Sequence, residues 1–99
     1  MATFMLYCLD KPGAGALRLE HRPAHLDWVR QFEDRIAMAG PLFADDGETF
    51  AGSVIVIEGE SLAAVRAWST GDPYARAGLF ERVDIRPFKW ILGQAGGLG

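Results

Sequence analysis

Short runs of apolar, β-favouring residues predict four strands. Residues 4–9 form the first run, which an Asp-Lys-Pro-Gly turn signal closes, and its continuous apolar character predicts a strand covered on both faces. Ser53–Glu58 is the clearest β-branched run and follows the turn signal Asp45–Gly47, so we predict a hairpin whose first strand includes residues 41–44. Residues Glu81–Pro87 alternate apolar with charged side chains, which is typical of a strand with one buried face.

Two segments between these strands have the periodicity of amphipathic helices. Pro23 supplies the backbone φ favoured at a first helical position, and apolar residues then recur every three or four positions. These residues are Leu26, Val29, Phe32 and Ile36. The pattern predicts a helix of about four turns from Pro23 to the Gly40–Pro41 break. Ser61 is a typical N-cap and predicts a second helix, which the Gly-Asp-Pro sequence at residues 71–73 ends.

The order of these elements indicates the fold class. Strand, helix, strand, strand, helix, strand is the split βαβ arrangement, so we predict an α+β, ferredoxin-like βαββαβ domain. Both helices then cover one face of the sheet, and a 99-residue chain has no third layer for the other face. We therefore expect a homodimer in which a second copy covers that face. The domain is expected to span residues 1–92, followed by a flexible C-terminal tail at 93–99.

Composition and charge narrow the functional classes. The chain is 49% hydrophobic and 23% charged, which is typical of a globular domain. A formal net charge of −3 offers no basic surface, so we expect no nucleic-acid partner and no membrane partner. No apolar run approaches the roughly 20 residues that span a bilayer, and the first residues lack the basic leader of a signal peptide. The single Cys8 excludes an internal disulfide and fits a reducing, cytoplasmic setting.

His25 and Asp72 are the residues predicted to carry chemistry. In the predicted helix His25 lies in the first turn, where free N–H groups and the positive end of the helix dipole disfavour the imidazolium. A neutral histidine there can accept a proton, and Asp72 is a candidate partner that would orient the ring. Simpler roles stay open, because a lone helical histidine is more often a surface or packing residue and Asp72 before Pro73 is a good N-cap.

Three further residues are predicted to bind a substrate: Arg22, Ser53 and Tyr74. Arg22 can hold an anionic group, although an exposed arginine beside a helix is the simpler interpretation. The Ser53 hydroxyl can face the cavity between sheet and helices, or it can satisfy backbone groups at the start of its strand. Cys8, inside the first strand, is interpreted as a small core residue rather than a nucleophile.

Several short segments stand in a specific order along the chain. They are Arg22–Leu26, Ala39–Pro41, Gly52–Ser53, Glu60–Leu62 with Ala67–Trp68, Asp72–Tyr74 with Ala77–Gly78, and Pro87–Lys89. In this order and spacing the chain resembles the YCII-related (YciI-like) family from the first strand to about Lys89. The resemblance implies a ferredoxin-like domain that dimerises into an α+β barrel, and an active-site His and Asp that correspond to His25 and Asp72. The connection Asp45–Ala51 looks shorter than in some relatives.

We therefore expect a small cofactor-independent enzyme in which His25, assisted by Asp72, acts as general base or acid on a small organic molecule. Elimination, isomerisation or lactone chemistry would suit the pair, because each moves a proton without a metal or nucleotide. The alternative is a non-catalytic metabolite-binding or accessory dimeric module that uses the same cavity. A metal site is not expected, because the two histidines and the scattered carboxylates have no ligand spacing.

Overall fold

A computed structural model describes residues 1–93, and within them four strands and three helices form. In chain order they are β1 (Ala2–Asp10), α1 (Gly15–Arg30), β2 (Ile36–Phe43), β3 (Phe50–Gly59), α2 (Leu62–Ser69), α3 (Pro73–Arg76) and β4 (Phe80–Pro87). The strands make one antiparallel sheet in the order β2-β3-β1-β4. This is the predicted α+β, ferredoxin-like arrangement, with the short α3 added before β4. The tail predicted at 93–99 lies, apart from Gly93, outside the described residues.

The first helix begins and ends earlier than predicted. α1 spans Gly15–Arg30, so Pro23 lies inside it instead of at its first position. Residues 15–22 are rich in Ala, Leu, Glu and Arg, which favour helix, and they follow the turn at Gly13, whose φ of 71° suits glycine. A proline inside a helix removes one backbone donor and crowds the carbonyl four residues earlier, and Pro23 lies on the solvent-exposed side, where such a carbonyl can tilt towards water. The eight residues before the proline therefore stay helical.

β2 begins inside the segment predicted to be helical. It pairs with β3, so that Ile36 lies opposite Ile57 and Pro41 lies opposite Ser53. Ile36, predicted on the apolar side of the helix, therefore packs against the core from a strand. Pro41, predicted to end the helix, is tolerated because β2 is an edge strand, where a missing N–H donor can face away from the sheet. The predicted hairpin between β2 and β3 is present, and its Asp-Asp-Gly turn joins the two strands.

One face of the sheet carries the core and the helices. Phe4, Leu6 and Cys8 of β1 alternate onto this face, as the period of a strand requires. They pack with Ile55, Ile57 and Val65. No helix within residues 1–93 is long and apolar enough to cross a membrane.

The opposite face of the sheet is open. Tyr7 and Met38 are 41% and 44% exposed there, beside the buried Val56, so the centre of this face is apolar. Along β4 the same face becomes charged, through Arg82, Asp84 and Arg86. The register places these charged residues opposite the outward-facing residues of β1. The face that the sequence predicted to lack cover is thus mixed, with an apolar centre and one charged border.

Candidate active site

α1 and the start of α3 bring His25 and Asp72 together. The Nδ1 atom of His25 lies 2.8 Å from Oδ1 of Asp72, and the two residues are 8% and 3% exposed. An ionised carboxylate can only accept hydrogen bonds, so Nδ1 carries the proton and Nε2 is the unprotonated nitrogen of the neutral ring. None of the described residues hydrogen-bonds to Nε2. The pair therefore presents a ring nitrogen that can accept a proton.

Asp72 is also the N-cap of α3. The backbone N–H of Tyr74 donates to Oδ1 of Asp72 at 2.9 Å, and Pro73 occupies the first turn, where its missing donor costs nothing. One carboxylate oxygen therefore starts α3 and accepts from His25. The capping role and the partner role that the sequence left open coexist in the structure.

His25 lies beyond the middle of α1 and not in its first turn. This corrects the electrostatic argument made from the sequence, because the effect of a helix dipole falls off within the first turn. The charge that acts on the imidazole comes instead from Asp72. A carboxylate at this distance stabilises the imidazolium that forms when Nε2 takes up a proton.

Aromatic rings pack around the imidazole. The ring of Tyr74 stacks on it, with centroids 4.0 Å apart and 15° between the planes, and the ring of Trp28 is 6.5 Å away. Tyr74 is 1% exposed. Burial raises the pKa of its hydroxyl, although the positive charges of Arg18 and Arg22 act in the opposite direction. Tyr74 therefore forms a neutral wall of the site at physiological pH.

A second buried polar cluster lies beside Tyr74. Arg18 donates to Asp10 from Nε at 2.7 Å and from Nη2 at 3.0 Å, and Nη2 also donates to Oγ of Ser53 at 2.8 Å. The guanidinium carbon is 4.5 Å from the centroid of the Tyr74 ring. Burial by itself would lower the pKa of Arg18, but its hydrogen bonds with Asp10 and the negative charge of that residue outweigh this and raise it. Ser53 is thus placed beneath the helices, with its hydroxyl engaged by Arg18.

Arg18 and Asp10 were not among the predicted site residues. The helix predicted to begin at Pro23 did not include Arg18, and Asp10 belonged to the turn predicted to close the first strand. A signal was present, because Arg18, Arg22 and His25 are spaced four and three residues apart, which puts them on one side of a helix. That spacing has meaning only when the helix extends to the N-terminal side of Pro23. Arg22 is exposed, and its charge is close enough to Tyr74 to oppose, though not to outweigh, the rise in the pKa of the hydroxyl that burial causes.

A narrow cavity between the sheet and the helices reaches Asp72, and it has room for about one water molecule. Its lining consists of Leu6, Cys8, Trp28, Ile55, Trp68, Ser69, Asp72, Phe80 and Val83. Burial and then the charge of Asp72 raise the pKa of the Cys8 thiol to about 12, so this residue stays protonated and packs as a core residue. Within residues 1–93, no three His, Cys, Asp or Glu side chains are grouped to hold a metal ion.

The YCII-related domain family matches residues 2–89. The chain belongs to this family. Protein YciI of Escherichia coli is 40% identical to this YCII-related chain over 96 residues, which cover 90% of the chain and 98% of that protein. An uncharacterised protein of Haemophilus influenzae is 34% identical over 96 residues, with the same coverage of 90% and 98%. The resemblance drawn from short segments of the sequence is confirmed.

The fold of this YCII-related chain also occurs in solved structures. The 5-chloro-2-hydroxyhydroquinone dehydrochlorinase of Burkholderia phenoliruptrix, in complex with 2,5-dihydroxybenzoquinone, has a TM-score of 0.81 and 28% identity, and the match covers 88% of this chain and 93% of that one. An antibiotic biosynthesis monooxygenase has a TM-score of 0.54 and 14% identity, with coverage of 93% and 100%, and shows the fold alone. The predicted α+β fold class is confirmed.

Proposed function

We propose that this YCII-related protein is a small enzyme in which His25, oriented by Asp72, moves a proton on a small organic molecule. The observation that carries the proposal is the buried hydrogen bond of 2.8 Å between Nδ1 and Oδ1. This bond selects one tautomer of the ring, and the carboxylate beside it stabilises the cation that appears during turnover.

Proton transfer is assigned to Nε2 of His25. This nitrogen takes a proton from the bound substrate, the ring becomes an imidazolium, and the same proton is delivered to another atom of the substrate later in the reaction. Arg22 lies on the exposed side of the site and is proposed to meet an anionic group of the substrate. Ser53 and Tyr74 are buried, and we assign them to the walls of the site.

Elimination from a hydroxylated ring is the proposed reaction class. Support comes from the similarity to the dehydrochlorinase, whose name states the loss of chloride from a hydroxylated hydroquinone. Such a reaction balances without a redox partner: a proton moves from a ring hydroxyl to the chlorine-bearing carbon. Chloride then leaves with its bonding pair as a second hydroxyl loses its proton, which yields a hydroxyquinone and HCl. Both proton transfers suit one histidine that alternates between base and acid.

Chloride release from 5-chloro-2-hydroxyhydroquinone tests this proposal. We expect His25→Gln to lower the rate by about 10²- to 10⁴-fold, because the proton acceptor is removed. Asp72→Asn is expected to lower it by about 10- to 100-fold, because the amide no longer selects the tautomer or balances the imidazolium. His21→Gln is the matched control, since His21 is a half-buried histidine of the same helix that pairs with Glu20 at 3.0 Å.

The outcomes separate the alternatives. Full turnover by a folded His25→Gln variant would remove His25 from the mechanism. A wild-type protein that binds 2,5-dihydroxybenzoquinone and releases no chloride from the chlorinated compound would favour the metabolite-binding module. If the wild type neither binds 2,5-dihydroxybenzoquinone nor releases chloride, hydroxylated rings are excluded as the substrate class.

We also propose that two copies pair through the open face of the sheet into an α+β barrel. The support is the apolar centre of that face, where Tyr7 and Met38 are exposed, because one chain of this size has no layer to cover it. Molar mass by light scattering at micromolar concentration tests the pairing. A dimer is expected for the wild type and a monomer for Met38→Glu, whereas a stable wild-type monomer would contradict the proposal.

A further inference from the structure

We propose that Arg18 is a positioning residue that acts on His25 through the ring of Tyr74. Asp10 and Ser53 hold the guanidinium, the guanidinium packs on the Tyr74 ring, and that ring sets the plane of the imidazole. The expected effect of Arg18 on turnover rests on the proposed function of His25. The effect of Arg18 on the position of the imidazole does not depend on that function, and it is measured without any substrate.

The guanidinium of Arg18 is held in one orientation by two strands. Asp10, the last residue of β1, accepts two hydrogen bonds from it, and Ser53 of β3 accepts a third. Two bonds to one carboxylate set the plane of a guanidinium, because its donors form a rigid fork. The Arg18 side chain is 3% exposed, so water competes little for these donors. The guanidinium is therefore anchored to the sheet.

Tyr74 contacts both the anchored guanidinium and the imidazole. Its ring centroid is 4.5 Å from Cζ of Arg18 and 4.0 Å from the centroid of the His25 ring. Arg18 and His25 are seven residues apart on α1, which puts them on the same side of the helix, and α3 packs Tyr74 against that side. A guanidinium against an aromatic ring is attracted to its π-electrons. Displacing Arg18 therefore loosens the ring on which His25 stacks.

A single hydrogen bond does not hold an imidazole in place. The bond from Nδ1 to Asp72 fixes one edge of the imidazole, but small rotations about the χ1 and χ2 bonds of His25 still tilt the ring and move Nε2. Stacking on Tyr74 limits this tilt because it sets the ring plane. Burying an ion pair also costs desolvation that an apolar side chain would avoid, so stability alone is a weak reason for Arg18. A role in aligning Nε2 explains why the ion pair of Arg18 and Asp10 lies beside Tyr74.

NMR spectroscopy of the full chain tests this placement. In the wild type, the carbon-bound ring protons of His25 are expected upfield, with nuclear Overhauser effects to the ring protons of Tyr74. Arg18→Met is expected to weaken these effects by about twofold or more and to move the His25 protons downfield. Arg18→Lys keeps the charge and is expected to recover part of the loss. Arg30→Met is the matched control, because Arg30 is an exposed arginine of the same helix.

A second pair of variants covers the case in which Arg18→Met does not fold, since it leaves Asp10 buried without its partner. The double variant Asp10→Asn with Arg18→Met removes both charges, and we expect it to fold and to lose the stacking. Ser53→Ala removes one hydrogen bond and keeps the ion pair, so we expect a smaller loss. The inference is overturned if any folded variant without Arg18 keeps the wild-type contacts between His25 and Tyr74. If none of those variants folds, the same contacts in Ser53→Ala overturn it.

Turnover of 5-chloro-2-hydroxyhydroquinone separates alignment from binding. In folded Arg18→Met we expect kcat to fall by about ten- to a hundredfold with little change in KM, because a misaligned Nε2 slows proton transfer more than it weakens binding. A rise in KM with unchanged kcat would assign Arg18 to substrate binding and overturn the positioning role. If the wild type does not act on this compound, the proposed substrate class fails, and the NMR result still decides whether Arg18 positions His25.

Discussion

Replacing Asp10 with alanine is expected to destabilise the fold strongly, because it leaves the buried charge of Arg18 without its partner. Asp10→Ala removes the two hydrogen bonds of 2.7 and 3.0 Å that the carboxylate accepts from Arg18. The guanidinium, 3% exposed, then keeps only the Ser53 hydroxyl as a neutral acceptor. A buried charge that loses its partner costs about 3–5 kcal/mol. For a domain of 99 residues, this loss lowers Tm by more than about 10 °C.

Urea unfolding followed by tryptophan fluorescence measures this effect. The midpoint of Asp10→Ala is expected to fall while the slope m stays near that of the wild type. The double variant Asp10→Ala with Arg18→Met is the companion measurement, and it is expected to recover most of the loss because no buried charge is left. A cost below about 1 kcal/mol for Asp10→Ala, or a double variant no more stable than the single one, would contradict the assigned role of this ion pair.

Three further predictions concern pH, capping and packing. Burial raises the pKa of the Cys8 thiol from its ordinary value of 9.0 to about 12. Above pH 9.0 only the unfolded chain loses this proton, so stability falls with rising pH by up to about 1.4 kcal/mol per unit. Urea unfolding from about pH 8 to about pH 11 should show a shallower decline for Cys8→Ala, and equal declines would contradict the assignment. Asp72→Ala is expected to be less stable than Asp72→Asn by about 1 kcal/mol in thermal unfolding, because asparagine also caps a helix and alanine does not. Gly52→Ala would place a Cβ against the carbonyl oxygen of Cys8, so β1 and β3 must separate, and faster amide hydrogen exchange in β1 is the expected result.

The order of the elements was predictable because hydrophobic periodicity is a property of neighbouring residues. The runs Ser53–Glu58 and Glu81–Pro87 lie within β3 and β4, where the pattern placed them. The predicted boundaries of α1 were wrong because Pro23 and Ile36 are each compatible with two kinds of secondary-structure position. A proline suits a helix start and is tolerated on the exposed side of a helix, and an apolar residue suits the end of a helix or the start of a strand. Pairing of β2 with β3 decided between them.

The candidate site was predictable only as a set of residue types. His25 and Asp72 were singled out by their chemistry and by the family resemblance, yet they are 47 positions apart and nothing local to either one indicates their contact. Arg18 was not predicted as a site residue for a related reason. An arginine is usually exposed, and its burial depends on an acceptor from another element, here Asp10 of β1.

Four strands, the two longer helices and their order, the face of the sheet that lacks cover, and the family of the chain could all be inferred from the sequence. The packing of the elements was needed to show that Asp72 both caps α3 and accepts from His25, and that Arg18 lies buried against Tyr74. Secondary structure responds to the spacing of residues within a few positions of one another. A hydrogen bond between distant residues forms only where packed elements bring two atoms within about 3 Å and keep water away.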